Sequence, residues 1–106
     1  MSAVMVYITA GNREEAEKVG KALIEAKLAA CVNIIDNMQS MFWWKGQVEK
    51  DSETVLLVKT RVGLVGRLND KVAAVHSYDT PCVVAVPIID GNPEFLQWIR
   101  DETEQP

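Results

Sequence analysis

Apolar positions fall into two rhythms along this chain. The run VMVYIT (residues 4–9) is short and rich in β-branched residues, which predicts a strand. Gly11-Asn12 breaks it. Asn12 predicts a helix cap, and Glu15, three residues on, completes an Asn form of the capping box. Ala16, Val19, Leu23 and Ala26 then recur at helical spacing, so a first helix is expected to end near Lys27. ACVNII (30–35) predicts a second strand. The stretch from there to TVLLVKT (54–60) predicts a long hairpin, with its turn near Lys45-Gly46 or around Lys50-Asp51-Ser52. Leu64, Leu68, Val72 and Val75 predict a second helix ending around His76. CVVAVPI (82–88) predicts the fourth strand. Asn92 as cap and Pro93 at the first helical position open a last helix with Phe95, Leu96, Trp98 and Ile99 on its apolar side.

The order β-α-β-β-α-β plus a C-terminal helix is the ferredoxin-like, split βαβ pattern of the α+β class. A chain of 106 residues suits one domain, 1–106. The strands themselves add a further expectation. A sheet with one wet face alternates apolar and polar residues, and VMVYI, CVNII, VLLV and CVVAVPI hardly do. Both faces read as buried, yet two helices cover only one. Another subunit is the expected cover, so the chain is predicted to be an obligate oligomer. A dimer and a trimer both satisfy this argument.

Composition narrows the function classes. The chain is 48% hydrophobic and 25% charged, as a folding domain is. The net charge of -4, with basic residues scattered among acids, argues against nucleic acid. No segment approaches the length of a membrane span, so no membrane partner is expected. MSAVMVYITAGN carries no basic region before its apolar run and reads as a first strand rather than a signal peptide. Two cysteines, Cys31 and Cys82, are fewer than a small secreted scaffold usually carries. A reducing, cytoplasmic setting is the expectation.

The candidate chemistry centres on VHSYDTPCV (75–83), which holds the only histidine, His76, with Asp79 and Cys82 after it. His76 falls at a helix end and Cys82 at a strand start, so a tight turn can bring them close. A cysteine opening an apolar strand is usually an inert core residue, and Cys31 reads the same way. Without CxxC or HxxxH, one His and one Cys make a weak metal signal. An intersubunit site with Glu53 or Asp79 stays open, but His76 is expected to hydrogen-bond in a pocket or interface. Trp43 and Trp44 are adjacent strand residues and must point to opposite faces, so one meets a partner subunit, a ligand or solvent. Lys59, Thr60 and Arg61 end a strand beside a helix start, where an anion can be held. No P-loop, GxGxxG or nucleophile–base–orienter set is legible, so an enzyme is not expected.

Several motifs together resemble one family. KLAACVNII, SMFWWKGQVEKDSETVLLVKT, VHSYDTPCVVAVPI and DGNPEFLQWI resemble the CutA divalent-cation-tolerance family over nearly the whole chain. The resemblance implies a ferredoxin-like fold, a tight PII-like homotrimer and a link to copper or other divalent cations. By position, Trp44 and Gly46 match its W-x-G; Glu53, Lys59 and Thr60 match its E…KT; His76, Tyr78 and Pro81 match an H-P-Y-x-x-P-E pattern; Trp98 matches its C-terminal Trp. The resemblance places Trp44, Lys59, His76, Tyr78, Pro81 and Trp98 in an intersubunit cleft. It makes His76, Cys82 and Glu53 the candidate metal ligands. Ser77 stands where the family usually has Pro, and Cys82 where it usually has Glu. Ile8 and Val75 occupy positions of a Cys and a His among the family's proposed ligands, and Lys45 stands where an acid is common. A carboxylate suits hard or borderline ions and a thiolate soft ones such as Cu(I), so the Glu-to-Cys difference weakens a cation site or shifts its preference, unless it is neutral to function. The expectation is a non-enzymatic, metal-binding or metal-responsive trimer. The alternatives are a PII-like sensor of a small anion held in the intersubunit cleft by Lys59, His76 and Tyr78, and a purely structural trimeric scaffold.

Overall fold

The computed structural model describes residues 2–104. The elements are β1 (Ala3–Ala10), α1 (Arg13–Glu25), β2 (Cys31–Trp44), β3 (Gln47–Arg61), α2 (Val65–Val75), β4 (Val83–Pro87) and α3 (Pro93–Asp101). One 3-10 turn, Val62–Leu64, leads into α2. The strands form a four-stranded sheet in the order β2-β3-β1-β4, with every neighbouring pair antiparallel. This is the ferredoxin-like α+β arrangement. No helix among the described residues is long and apolar enough to cross a membrane.

Local chemistry sets the ends of the elements. Asn12 caps α1 by accepting the Glu15 N–H at 2.8 Å, and Glu15 Oε1 accepts the Gly11 N–H at 3.2 Å, one residue before the cap. At the other end the Leu28 N–H returns to Leu23 O and the Lys27 N–H to Ile24 O. This is a Schellman closure, with Lys27 at φ 61° in the left-handed position glycine usually fills. It ends the helix at Glu25, slightly before the expected limit. Asn92 caps α3 through the Glu94 and Phe95 N–H groups, with Pro93 at the first helical position.

The hairpin turns at Lys45-Gly46, the first of the two expected places. Both residues have positive φ, 49° and 79°, and Trp44 pairs with Gln47. These are the marks of a two-residue type I′ turn, whose twist matches that of the flanking strands. The ladder therefore runs through the polar segment QVEKDSE, and β3 begins at Gln47 rather than at Thr54. It is regular except between Ile35↔Val55 and Met38↔Glu53, where β2 has one residue more than β3 and Asn37 adopts φ 61°.

The pairing register assigns the faces. Val4, Val6 and Ile8 of β1 lie opposite Thr60, Val58 and Leu56 of β3, and these side chains pack under Val19, Leu23, Leu68 and Val72 of α1 and α2. On the other face lie Tyr7, Leu57, Ile35, Val84 and Val86. Ile35, Val84 and Val86 remain 52%, 50% and 42% exposed on this apolar surface. At one end of the sheet the Arg61 guanidinium donates to Thr103 Oγ1 at 2.8 Å and to Arg100 O at 2.8 Å, fixing the C-terminal end of α3 to β3.

Candidate functional site

The loop between α2 and β4 carries His76, Ser77 and Tyr78 to the opposite end of the sheet from Arg61. His76 is the C-cap of α2, its N–H bonded to Val72 O. Its side chain has no exposure. The Tyr78 N–H donates to Nδ1 at 3.0 Å, which makes Nδ1 an acceptor. Nε2 then carries the hydrogen and donates to the Thr9 carbonyl at 2.8 Å. Both ring nitrogens are occupied, so no lone pair faces a metal ion. His76 is a clamp between the loop and β1.

Glu15 fastens the same loop from α1. Its Oε2 accepts the Ser77 N–H at 2.9 Å and lies 4.0 Å from His76 Nδ1. Burial pushes this carboxyl up, but the bonds from Ser77 and Gly11 and the nearby His76 outweigh it, and its pKa falls below the ordinary 4.5. Tyr78 reaches the other way and donates its hydroxyl to Glu53 Oε2 at 3.0 Å. Burial, followed by this bond, pushes the phenol up to about 12. Burial and then the Glu53 charge raise the Cys82 thiol, so Cys82 holds its proton more firmly than an ordinary cysteine and is a poor thiolate in this chain.

Beside Tyr78 a cleft of about 380 Å³ opens between hairpin and loop. Phe42, Trp44, Asp51 and Glu53 line it from β2 and β3, and Ser77, Tyr78, Asp79 and Thr80 from the loop. The register places Phe42, Trp44 and Glu53 on the open face of the sheet, and Trp43 behind it with Met41 and Val48. The two tryptophans do point opposite ways: Trp44 lines the cleft while Trp43 stays 75% exposed.

Not all the sequence-predicted site residues meet. Glu53, Tyr78 and Trp44 share the cleft, and His76 sits behind it. Cys82 is half-buried and feels Glu53 electrostatically without lining the cleft. Lys59 is about 20 Å further along β3 than Glu53 at ordinary strand rise, and its ammonium is bonded to Asn33 Oδ1. Trp98 is on α3, its ring against Phe95 at 5.5 Å. Pro81 precedes β4 without lining the cleft. Within one chain Lys59 lies apart from His76 and Tyr78, and the small-anion reading brings them together only in a cleft between subunits. His76, Cys82 and Glu53 do not form a donor set, because the imidazole is saturated. Among the described residues no group of three His, Cys, Asp or Glu side chains is placed to hold a metal ion. The sequence reading missed Glu15 as a loop anchor, seeing only its capping role, and missed Phe42 and Asp51 as cleft walls. The sequence signal for those two walls was the period-2 alternation counted back from the Lys45-Gly46 turn.

Fold and site together define a small α+β chain with an uncovered apolar sheet face and an acidic, aromatic cleft at its end. A family model described as CutA1 divalent ion tolerance protein matches residues 4–102. The chain belongs to this family. It is 52% identical to a divalent-cation tolerance protein CutA from Archaeoglobus fulgidus, covering 93% of this chain and 96% of that one. It is 41% identical to the chloroplastic protein CutA 1 of Oryza sativa, covering 97% of this chain but 58% of that longer one. A crystal structure of CutA1 from Oryza sativa superposes with a TM-score of 0.97 at 40% identity, covering 100% of this chain and 97% of that one. The solved structure described as the periplasmic divalent cation tolerance protein CutA of A. fulgidus gives 0.93 at 48% identity, covering 96% and 99%.

Proposed function

We propose that this protein is a homotrimeric divalent-cation-tolerance protein that binds or responds to copper or a related divalent ion and catalyses no reaction. The observation that carries the assembly is the uncovered sheet face, with Ile35, Val84 and Val86 half exposed and Trp43, Met41 and Val48 bare on the back of the hairpin. Surface of this kind on a small chain is ordinarily covered by a partner. The trimer is the assembly that the family resemblance implies. Relatives bear the name of tolerance proteins, which supports a role in cation handling rather than catalysis.

One chain alone does not supply a metal site, so donors from more than one subunit are needed. Glu53 and Cys82, both on the open side of the sheet, are this chain's contribution. The acid-lined cleft weighs against the small-anion alternative. The unpaired Cys31 and Cys82 support a reducing compartment, and we place the protein in the cytoplasm; cell fractionation tests this.

Light scattering on a sizing column is expected to give three times the chain mass, and Val84→Glu with Val86→Glu a folded smaller species. A wild-type monomer at micromolar concentration would overturn the assembly. Calorimetric titration with Cu and Zn is expected to show weaker binding for Cys82→Ser and Glu53→Gln. Equal affinities in all three proteins would remove both residues as ligands, and no binding at all would leave the structural scaffold.

A further inference from the structure

We propose that Asp90 is a modification site, at which the backbone isomerises through a cyclic imide to isoaspartate and loosens the start of α3. The site lies on the connection from β4 to α3 and depends on neither the metal nor the trimer. Asp90-Gly91 is the only Asp-Gly pair in the chain, and no Asn precedes a Gly. Both residues are exposed, in the irregular segment 88–92. Asp90 Oδ1 accepts the Gly91 N–H at 2.9 Å, so the carboxyl is folded back against the peptide nitrogen that follows it. Among the described residues no backbone carbonyl holds that N–H.

A second pair isolates what matters. Asp51 Oδ1 accepts the Ser52 N–H at the same 2.9 Å. Asp51-Ser52, however, lies in the ladder opposite Ser40 and Gln39, where its peptide turns only by breaking strand pairing. Ser52 also carries a Cβ that crowds its nitrogen, and Gly91 carries none. Asp90 combines a close nitrogen, an open approach and a peptide outside any ladder. The reaction needs no co-reactant but water. The Gly91 nitrogen gives its proton to solvent and bonds to Cγ of the Asp90 carboxylic acid; the Cγ–OH bond breaks and water leaves. Water then opens the imide at either carbonyl. Breaking the new N–Cγ bond restores aspartate, and breaking the original peptide bond leaves Gly91 attached through Cγ. The second product has an extra carbon in the main chain just ahead of Asn92. Asn92 caps α3 by accepting from the Glu94 and Phe95 N–H groups, so its displacement frees them.

The test is incubation of the assembled protein at physiological temperature, read by isoaspartyl methyltransferase labelling and peptide fragmentation. Label is expected to accumulate at Asp90 and not at Asp51, preceded by a form lighter by one water. Asp90→Glu should lose the label and Gly91→Ala most of it. A Cβ at Gly91 would meet Leu96 at 3.7 Å, an ordinary contact, so that variant should fold. In the labelled fraction, hydrogen exchange at the Glu94 and Phe95 amides should be faster than in fresh protein. Absence of label at Asp90, equal label at Asp51, or label in urea-unfolded protein alone would each overturn the site. Unchanged exchange at Glu94 and Phe95 would overturn its effect on α3.

Discussion

Leu56 and Leu57 are neighbours in the chain and lie on opposite faces of the sheet. Leu56 is fully buried beneath the helices, while Leu57 is only partly covered. The same contrast runs across the whole sheet: Val6 and Val58 are closed off, and Val84 and Val86 are half open. The residue types barely differ. What differs is the element laid over them. α1 and α2 finish one face within the chain, and the other is left as an interior surface without its lid. Hydrophobic burial is roughly proportional to area removed from water, so the two faces draw their stability from different sources. One is buried by folding alone, and the other is buried only in the proposed trimer.

The largest expected effect tests that division directly. Leu56→Ala should cost about 3 kcal/mol in urea denaturation, because a cavity opens in a closed core. The loss should not vary with protein concentration. Leu57→Ala should cost less in a dilute sample, with a loss that depends on concentration, because association shifts apparent stability by mass action. Equal, concentration-independent losses would break the comparison.

A smaller effect is expected at Glu15, which ties the covered side to the loop. Removing it as Glu15→Ala leaves the Ser77 and Gly11 N–H groups without their acceptor, a loss of about 2 kcal/mol for charge-assisted bonds. The pH dependence has a defined sign. The folded pKa lies below the ordinary 4.5, so the stabilisation is complete above that value and is lost as pH falls through the lower folded value. The gap between wild type and variant should be full at neutral pH and close on acidification below pH 4.5. A gap that widens in acid would contradict the assigned contacts.

The smallest effect is a gain. Lys27→Gly removes a side chain from a left-handed position and should raise stability by about 0.5 kcal/mol in a thermal melt. Lys27 also pairs with Glu102 at 3.6 Å, but both side chains are exposed and the pair contributes little. A net loss would show that this pair, rather than the backbone, governs the end of α1.

Much of the fold was legible because its signals are local. Asn12, Asn92 and Pro93 act within one helical turn, and the apolar spacing of α1 and α2 needs no distant partner to be read. The strands' lack of alternation pointed to the uncovered face for the same reason. The site was less legible because its contacts are remote. His76 was expected to hydrogen-bond, and it does, but its partner is a carbonyl 67 residues away, which no spacing reveals, so the family resemblance kept it among the candidate ligands. The polar segment QVEKDSE looked like a connection although pairing with β2 makes it strand, and this concealed Asp51 as a cleft wall. Trp43 and Trp44 were correctly placed on opposite faces, but alternation counted forward from Ile35 selects the wrong one for the cleft, because β2 passes through an irregularity without a hydrophobic signature.

That irregularity is a remainder in a division. The hairpin is held at its root by Ile35↔Val55 and at its tip by Trp44↔Gln47. Between these anchors β2 advances 44 − 35 = 9 positions and β3 advances 55 − 47 = 8. Two rails of unequal length, pinned at both ends, must store the difference, and the chain stores it at Asp36-Asn37. From there Asp36 reaches Arg13 at 2.5 Å, so the surplus residue also couples the arm to the start of α1. A chain shortened by Asn37 would bring the rails level. Trp44 would keep its side of the ribbon, but the arm would lose its bend and aim its tip elsewhere.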